Sequence, residues 1–261
     1  MDSGKLYTIK DTSFTLLNTY SGNGGAISVT GDSALLTSTS LTVIRCSFSS
    51  CVCTQLGGGV YASSMHFTQI KDSIFISCIT NTYPYGGGGI MLFSITAPVI
   101  SECTFVSCQV RDDGGGFEIM SCGSESMREN EVIIAYGNRM FSCSTSDSGG
   151  GCEIRENMVT LGCADSLFSS NSAIFGGGIF FWFSSTIQSH LICFCFFTGN
   201  NQNKGNDICT YEEQTVHPLL LCFTTTETKA YCYEHSGSVD YYSGNWLPQG
   251  VIKYTNLPFL F

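Results

Sequence analysis

The stretch Phe75-Ile76-Ser77-Cys78, followed by Gly87-Gly88-Gly89-Ile90-Met91-Leu92, decides the fold because it recurs. The glycine step with an apolar residue behind it returns at Gly24-Gly25-Ala26-Ile27, Gly57-Gly58-Gly59-Val60 and Gly114-Gly115-Gly116-Phe117. It returns again at Gly149-Gly150-Gly151-Cys152 and Gly176-Gly177-Gly178-Ile179, and in decayed form at Gly205-Asn206-Asp207-Ile208. The starts lie 27 to 35 residues apart. A phenylalanine stands 8 to 12 residues before each step: Phe14, Phe48, Phe75, Phe105, Phe141, Phe168 and Phe197. Three residues after these come Leu17, Cys51, Cys78, Cys108, Ser144, Asn171 and Asn200. Two linked signatures in seven copies mark a repeat, each copy one structural unit that buries its apolar face against its neighbours.

The unit is too short for two helices and lacks their 3.6-residue period. After each glycine step the residues alternate. Ile27/Val29, Val60/Ala62, Ile90/Leu92, Phe117/Ile119, Cys152/Ile154 and Ile179/Phe181 point one way. Ser28, Tyr61, Met91, Glu118, Glu153 and Phe180 point the other. That is the period of a strand with one buried face. Two or three short strands in about 30 residues suit one coil of a parallel β-solenoid, with equivalent positions stacked about 4.8 Å apart. The expectation is an all-β, parallel β-helix of about seven coils over residues 1–209, with the phenylalanines as an inner ladder. Residues 210–261 break the repeat and carry Tyr211, Tyr231, Trp246, Pro218 and Pro248. They are expected to form a C-terminal cap over the exposed strand edges, or a small aromatic and cysteine-containing extension.

The paired elements resemble the repeats of the polymorphic membrane protein family, found in chlamydial surface proteins and in repeat-rich protist surface proteins. Gly24-Gly25-Ala26-Ile27 matches the first element of that family, and Phe168-Ser169-Ser170-Asn171 and Phe197-Thr198-Gly199-Asn200 match the second. Three other copies place Cys where the family has Asn. The resemblance covers about residues 12–209. It implies a right-handed parallel β-helix of the pectate-lyase type and a secreted or surface-displayed protein, often adhesive.

Composition narrows the partners. The 261 residues carry a net charge of −10 with only 11 Lys and Arg, which disfavours nucleic acid, whose phosphates need cations. No run approaches the roughly 18 apolar residues of a membrane-spanning helix. The first six residues, Met1 to Leu6, show no basic segment leading into an apolar one, so surface display rests on the resemblance.

Fifteen cysteines leave at least one thiol without an intrachain partner. Cys51, Cys78 and Cys108 occupy one position in successive coils. Side-by-side Cβ atoms suit a disulfide torsion poorly, so a ladder of buried thiols is expected. Cys209, Cys222 and Cys232 are better placed for disulfides. His190 with Cys193 and Cys195 is the one zinc-like group, and it lacks four convergent ligands. No cofactor is expected: the glycine runs precede strands, whereas a phosphate loop opens a helix.

The β-helix fold hosts polysaccharide lyases and hydrolases, so a pectate-lyase-like enzyme, or an inactive relic of one, is the alternative function. Asp112-Asp113 is the paired aspartate here, and no histidine is flanked by glycine. The favoured reading is a non-enzymatic, adhesin-like interaction protein with a protein or glycan surface ligand. The outward residues Tyr61, Met91 and Phe180, with Trp182, form the expected interaction surface; the bland alternative is a loop lying over them. Glu118 and Glu153 hold equivalent outward positions. Splayed, solvated side chains are expected there, and a weak cation site with Asp112 and Asp113 is the other reading.

Overall fold

A computed structural model describes residues 5–31, 39–81, 86–122, 133–155, 161–183, 190–193, 195–204, 207–212, 219–222, 230–234 and 239–242. Every regular element among them is a strand, and the strands wind into a parallel β-solenoid with three walls. A broad wall of 15 strands includes the long strands Val60–Lys71 and Ile90–Ser101. A second wall of seven three-residue strands runs from Ser13–Thr15 through Ile74–Ile76 and Thr104–Val106 to Phe196–Thr198. A third wall of seven short strands runs from Asn18–Thr19 to Asn201–Lys204.

The second wall carries the inner ladder. Phe14, Phe48, Phe75 and Phe105 stack ring on ring, with centroids 4.9, 4.5 and 5.0 Å apart and planes within 9°. Phe168 and Phe197 continue it at 4.9 Å. Phe48, Phe75, Phe105, Met140 and Phe168 are completely buried, so about five turns are fully enclosed, fewer than the seven equivalent coils expected. Phe14, on the first strand of this wall, is only partly buried.

One rung departs from the expectation. Phe141 is not in the ladder. Met140 pairs with Phe105 and Phe168, and Phe141 faces outward, half-buried. The corner residues set this frame: Asn138 Oδ1 accepts from the Cys103 amide at 3.0 Å, and its Nδ2 donates to the Ile100 carbonyl at 2.9 Å. With Asn138 pinned, the strand starts at Arg139 and its middle residue is Met140. A one-residue change of register exchanges the two faces. The repeat therefore reads Met140-x-x-Cys143 in this coil.

The position three after the ladder residue explains the exchange of Asn for Cys. Asn171 Nδ2 donates to the Met140 carbonyl at 3.2 Å, and Asn200 Nδ2 to the Phe168 carbonyl at 3.1 Å. Where cysteine stands instead, the thiol points at the equivalent carbonyl: Cys51 to Phe14, Cys78 to Phe48 and Cys108 to Phe75, at 3.5–3.7 Å. Cysteine reproduces the donor half of asparagine and adds apolar bulk. These cysteines are buried free thiols. The side chains of His190, Cys193, Cys209, Cys222 and Cys232 lie outside what is described.

The glycine step has two jobs. Gly87 takes φ +68°, a left-handed corner. Gly88 touches the next coil: a Cβ there would lie 2.2 Å from the Gly115 carbonyl oxygen and 2.7 Å from the Gln109 nitrogen. The other corners use left-handed residues that bear side chains, among them Ser50, Ser77 and Ser107. Beyond the repeat, Ile208–Glu212 is followed in the broad wall by Ala230–Glu234 in parallel and Val239–Tyr242 in antiparallel pairing. The first part of the 210–261 segment thus adds strands to the same sheet, and residues 243–261 lie outside the described residues.

Candidate functional site

The chemically distinctive place is the outer side of the broad wall, where the chain enters it from the glycine step. Tyr61, Met91, Glu118, Glu153 and Phe180 form one column, strand to strand in register. The expectation that this column faces solvent is overturned. Tyr61, Met91 and Phe180 are 7%, 1% and 4% exposed, and both glutamates are fully buried. The turns before Gly57 and Gly176 fold over the column. Leu56 packs on the Tyr61–Met91–Met120 cluster, and Phe175 lies 6.2 Å from Phe180. Trp182 is partly buried, with its ring 4.7 Å from the Arg155 guanidinium carbon. Tyr61, Met91 and Phe180 are therefore not a free interaction surface.

Beneath that cover the glutamates meet three aspartates. Asp112 and Asp113 end one turn, and Asp147 and Ser148 occupy the equivalent places one coil on, with a backbone bridge joining Asp113 to Ser148. One oxygen from each of Asp113, Glu118 and Glu153 lies within 4.8 Å of the others, and the same holds for Asp112, Asp113 and Asp147. Asp112 and Asp113 are buried, and Asp147 is half-buried at the rim. Arg155 reaches into the cluster: Nη1 lies 2.8 Å from Asp113 Oδ2 and 3.4 Å from Glu153 Oε1. Arg155, near in sequence to Glu153, does supply positive charge, and exposed Arg111 acts on Asp112 from outside, so two guanidinium groups stand against five carboxylates.

Hydrogen bonding in the cluster is strained for protons. Ser148 Oγ stands 2.7 Å from both Asp113 Oδ1 and Glu153 Oε2. A hydroxyl has one proton to donate, so it satisfies one of these oxygens, and the other must carry a proton of its own. Glu118 Oε2 accepts from the Gly86 amide at 2.7 Å, while its Oε1, fully buried, has no hydrogen-bond partner. Burial, then repulsion from Asp113, raises the Glu118 carboxyl to about 8. Burial and the Asp113 and Asp147 charges raise Asp112 to about 7. Glu153 is pushed well up by burial and by Asp113 and Glu118, against the pull of Arg155.

The sequence placed Glu118 beside Glu153 and named Asp112 and Asp113. It also offered Arg155 and Arg111, close in sequence, as the positive charge, and Arg155 does reach Asp113 and Glu153. It did not bring in Asp147 or Ser148, although the signal was present: Asp147-Ser148 stands before Gly149 as Asp112-Asp113 stands before Gly114. The arrangement can hold protons or a hard cation. It is not an open cleft in which a sugar chain meets two carboxylates.

The second wall offers the contrasting surface. Its outward positions include Ile74, Ile76 and Phe196, 44%, 39% and 57% exposed, with Val106, Phe141 and Leu167 half-buried between them. Strand pairing aligns Ile76 with Val106 and Phe141, and Leu167 with Phe196.

The fold defines the class, a parallel β-solenoid. No family model matches the chain. Among curated proteins, the metabotropic glutamate receptor-like protein R of Dictyostelium discoideum is similar, 26% identical over 194 residues. The match takes in 67% of this chain and 12% of that protein's length.

Proposed function

We propose that the chain is a non-enzymatic interaction segment of a surface or secreted protein, and that the outward face of the second wall binds a protein partner. The observation that carries this reading is the exposure of Ile74, Ile76 and Phe196 on one wall, with half-buried Val106, Phe141 and Leu167 on the strands between. Exposed apolar residues gathered on one face mark interaction sites, and aromatic residues are enriched there. Exposed branched aliphatic side chains suit a protein surface better than a glycan. Surface display is supported by the repeat resemblance to the polymorphic membrane proteins and by the likeness to a segment of a receptor-like protein.

The alternative, a polysaccharide-active β-helix, draws its support from the five gathered carboxylates. Their burial weighs against it, because Glu118 and Glu153 are closed off from a polymeric substrate. The test is a pull-down and a glycan array with the purified chain and with the triple variant Ile74→Asp, Ile76→Asp, Phe196→Asp. A protein partner captured by the parent and lost by the folded variant supports the reading. Glycan binding that survives in the variant, or release of unsaturated uronides from pectin, overturns it.

A further inference from the structure

The acid cluster is not used by the interaction reading, and its electrostatics do not close by themselves. Five carboxylates, Asp112, Asp113, Glu118, Asp147 and Glu153, gather around one buried guanidinium, Arg155, with exposed Arg111 outside next to Asp112. A buried carboxylate needs a compensating charge or a hydrogen bond. Asp113 and Glu153 share the one Ser148 hydroxyl and the Arg155 guanidinium, and Glu153 Oε1 has the ion pair without a hydrogen bond. Glu118 has the Gly86 amide on one oxygen only. Its other oxygen is fully buried and without a hydrogen-bond partner.

We propose that Asp113, Glu118 and Glu153, with buried Asp112 and half-buried Asp147 beside them, form a calcium-binding site that ties two successive coils together. The donors are all carboxylate oxygens, the set preferred by hard cations. Calcium fits better than magnesium, because it accepts six to eight oxygens in irregular geometry whereas magnesium requires a near-ideal octahedron. The ligands come from both coils: Asp112, Asp113 and Glu118 from one, Asp147 and Glu153 from the next, with Glu118 and Glu153 paired across the strands. Arg155 holds Asp113 and Glu153 from one side. The ion takes the side of the unpartnered Glu118 oxygen, and the half-buried Asp147 marks the way in. Trp182, stacked on Arg155, is placed to sensitise a lanthanide bound there.

The experiment uses the full chain at pH 8. Calcium is titrated by calorimetry, melting is followed in chelator and in calcium, and terbium luminescence is excited through tryptophan. A hundredfold excess of calcium over its dissociation constant should raise the midpoint by about 5–10 °C in a chain of this size. Glu118→Gln should weaken calcium binding at least tenfold and abolish the terbium signal. Asp147→Asn, at the rim, should weaken it several-fold and decides the matter if Glu118→Gln does not fold. Glu102→Gln, an exposed carboxylate paired with Lys71, serves as the surface control and should change nothing. No heat and no shift at millimolar calcium overturns the site. So does binding in which Glu118→Gln and Asp147→Asn match the parent, since the ion then sits elsewhere on the acidic surface.

Discussion

Truncating Phe105 to alanine tests the inner ladder at its centre. The Phe105 ring is completely buried, stacked on Phe75 at 5.0 Å and tilted against Phe117 at 5.5 Å. A buried phenylalanine removes about 150–250 Å² from water, worth about 4–6 kcal/mol at about 25 cal/mol/Å². Alanine retains a small part of this, and the ring pairs add about 0.5–1.5 kcal/mol each. Partial collapse of the neighbours returns some of the loss, so Phe105→Ala should cost about 3–5 kcal/mol. Two companions calibrate it. Met140→Ala, on the ladder, should cost about 2–5 kcal/mol. Phe141→Ala, outward and half-buried, should cost about 1–2 kcal/mol, because half as much area is lost. Urea denaturation at constant slope gives all three. If Phe141→Ala costs as much as Phe105→Ala while Met140→Ala is nearly silent, the register derived above is wrong.

Gly88→Ala should destabilise by about 3 kcal/mol or more, because the new Cβ meets neighbouring backbone that cannot turn aside. Gly22→Ala, where the nearest atom is 3.5 Å away, should be tolerated, and thermal melts compare the two. Asn171→Ala should cost about 1–3 kcal/mol by stranding the Cys143 amide and the Met140 carbonyl. Asn171→Cys should cost less, since a thiol serves that carbonyl's equivalent in the coils below. In chelator, stability should fall as pH rises from about 5 to 9. Glu118 and Asp112 have folded values of about 8 and about 7, raised above their unfolded ones, so the folded state holds extra protons and loses that advantage as they leave. Guanidinium melts across that range, read beside Asp113, Asp147, Glu153, Ser148, Arg155 and Arg111 as the facing groups, should show the decline; a rise with pH would contradict it.

Much of this was legible in the repeat. The spacing of Phe48, Phe75 and Phe105 to their glycine steps placed them on one inner face, and the alternation after each step paired Glu118 with Glu153 correctly. Two things were not legible. The frame of the Met140 coil depends on the hydrogen bonds of Asn138, and a phenylalanine beside a methionine gives no hint of which faces in. Solvent exposure of the outward column depends on the turns before the glycine steps. Strand periodicity separates two faces but does not say that a second layer covers one of them. That cover turned Tyr61, Met91 and Phe180 from an expected binding surface into a minor core, and two expected surface glutamates into a buried acid cluster.

The account rests on coils stacked in parallel with equivalent residues in contact. The most direct measurement is a nuclear Overhauser spectrum of chain labelled at methionine methyls and phenylalanine rings. It should show an unbroken path of ring contacts from Phe48 through Phe75 to Phe105, then from the Met140 methyl to the Phe105 and Phe168 rings. Ring contacts made by Phe141 in place of Met140, or contacts confined to residues near in sequence, would contradict it.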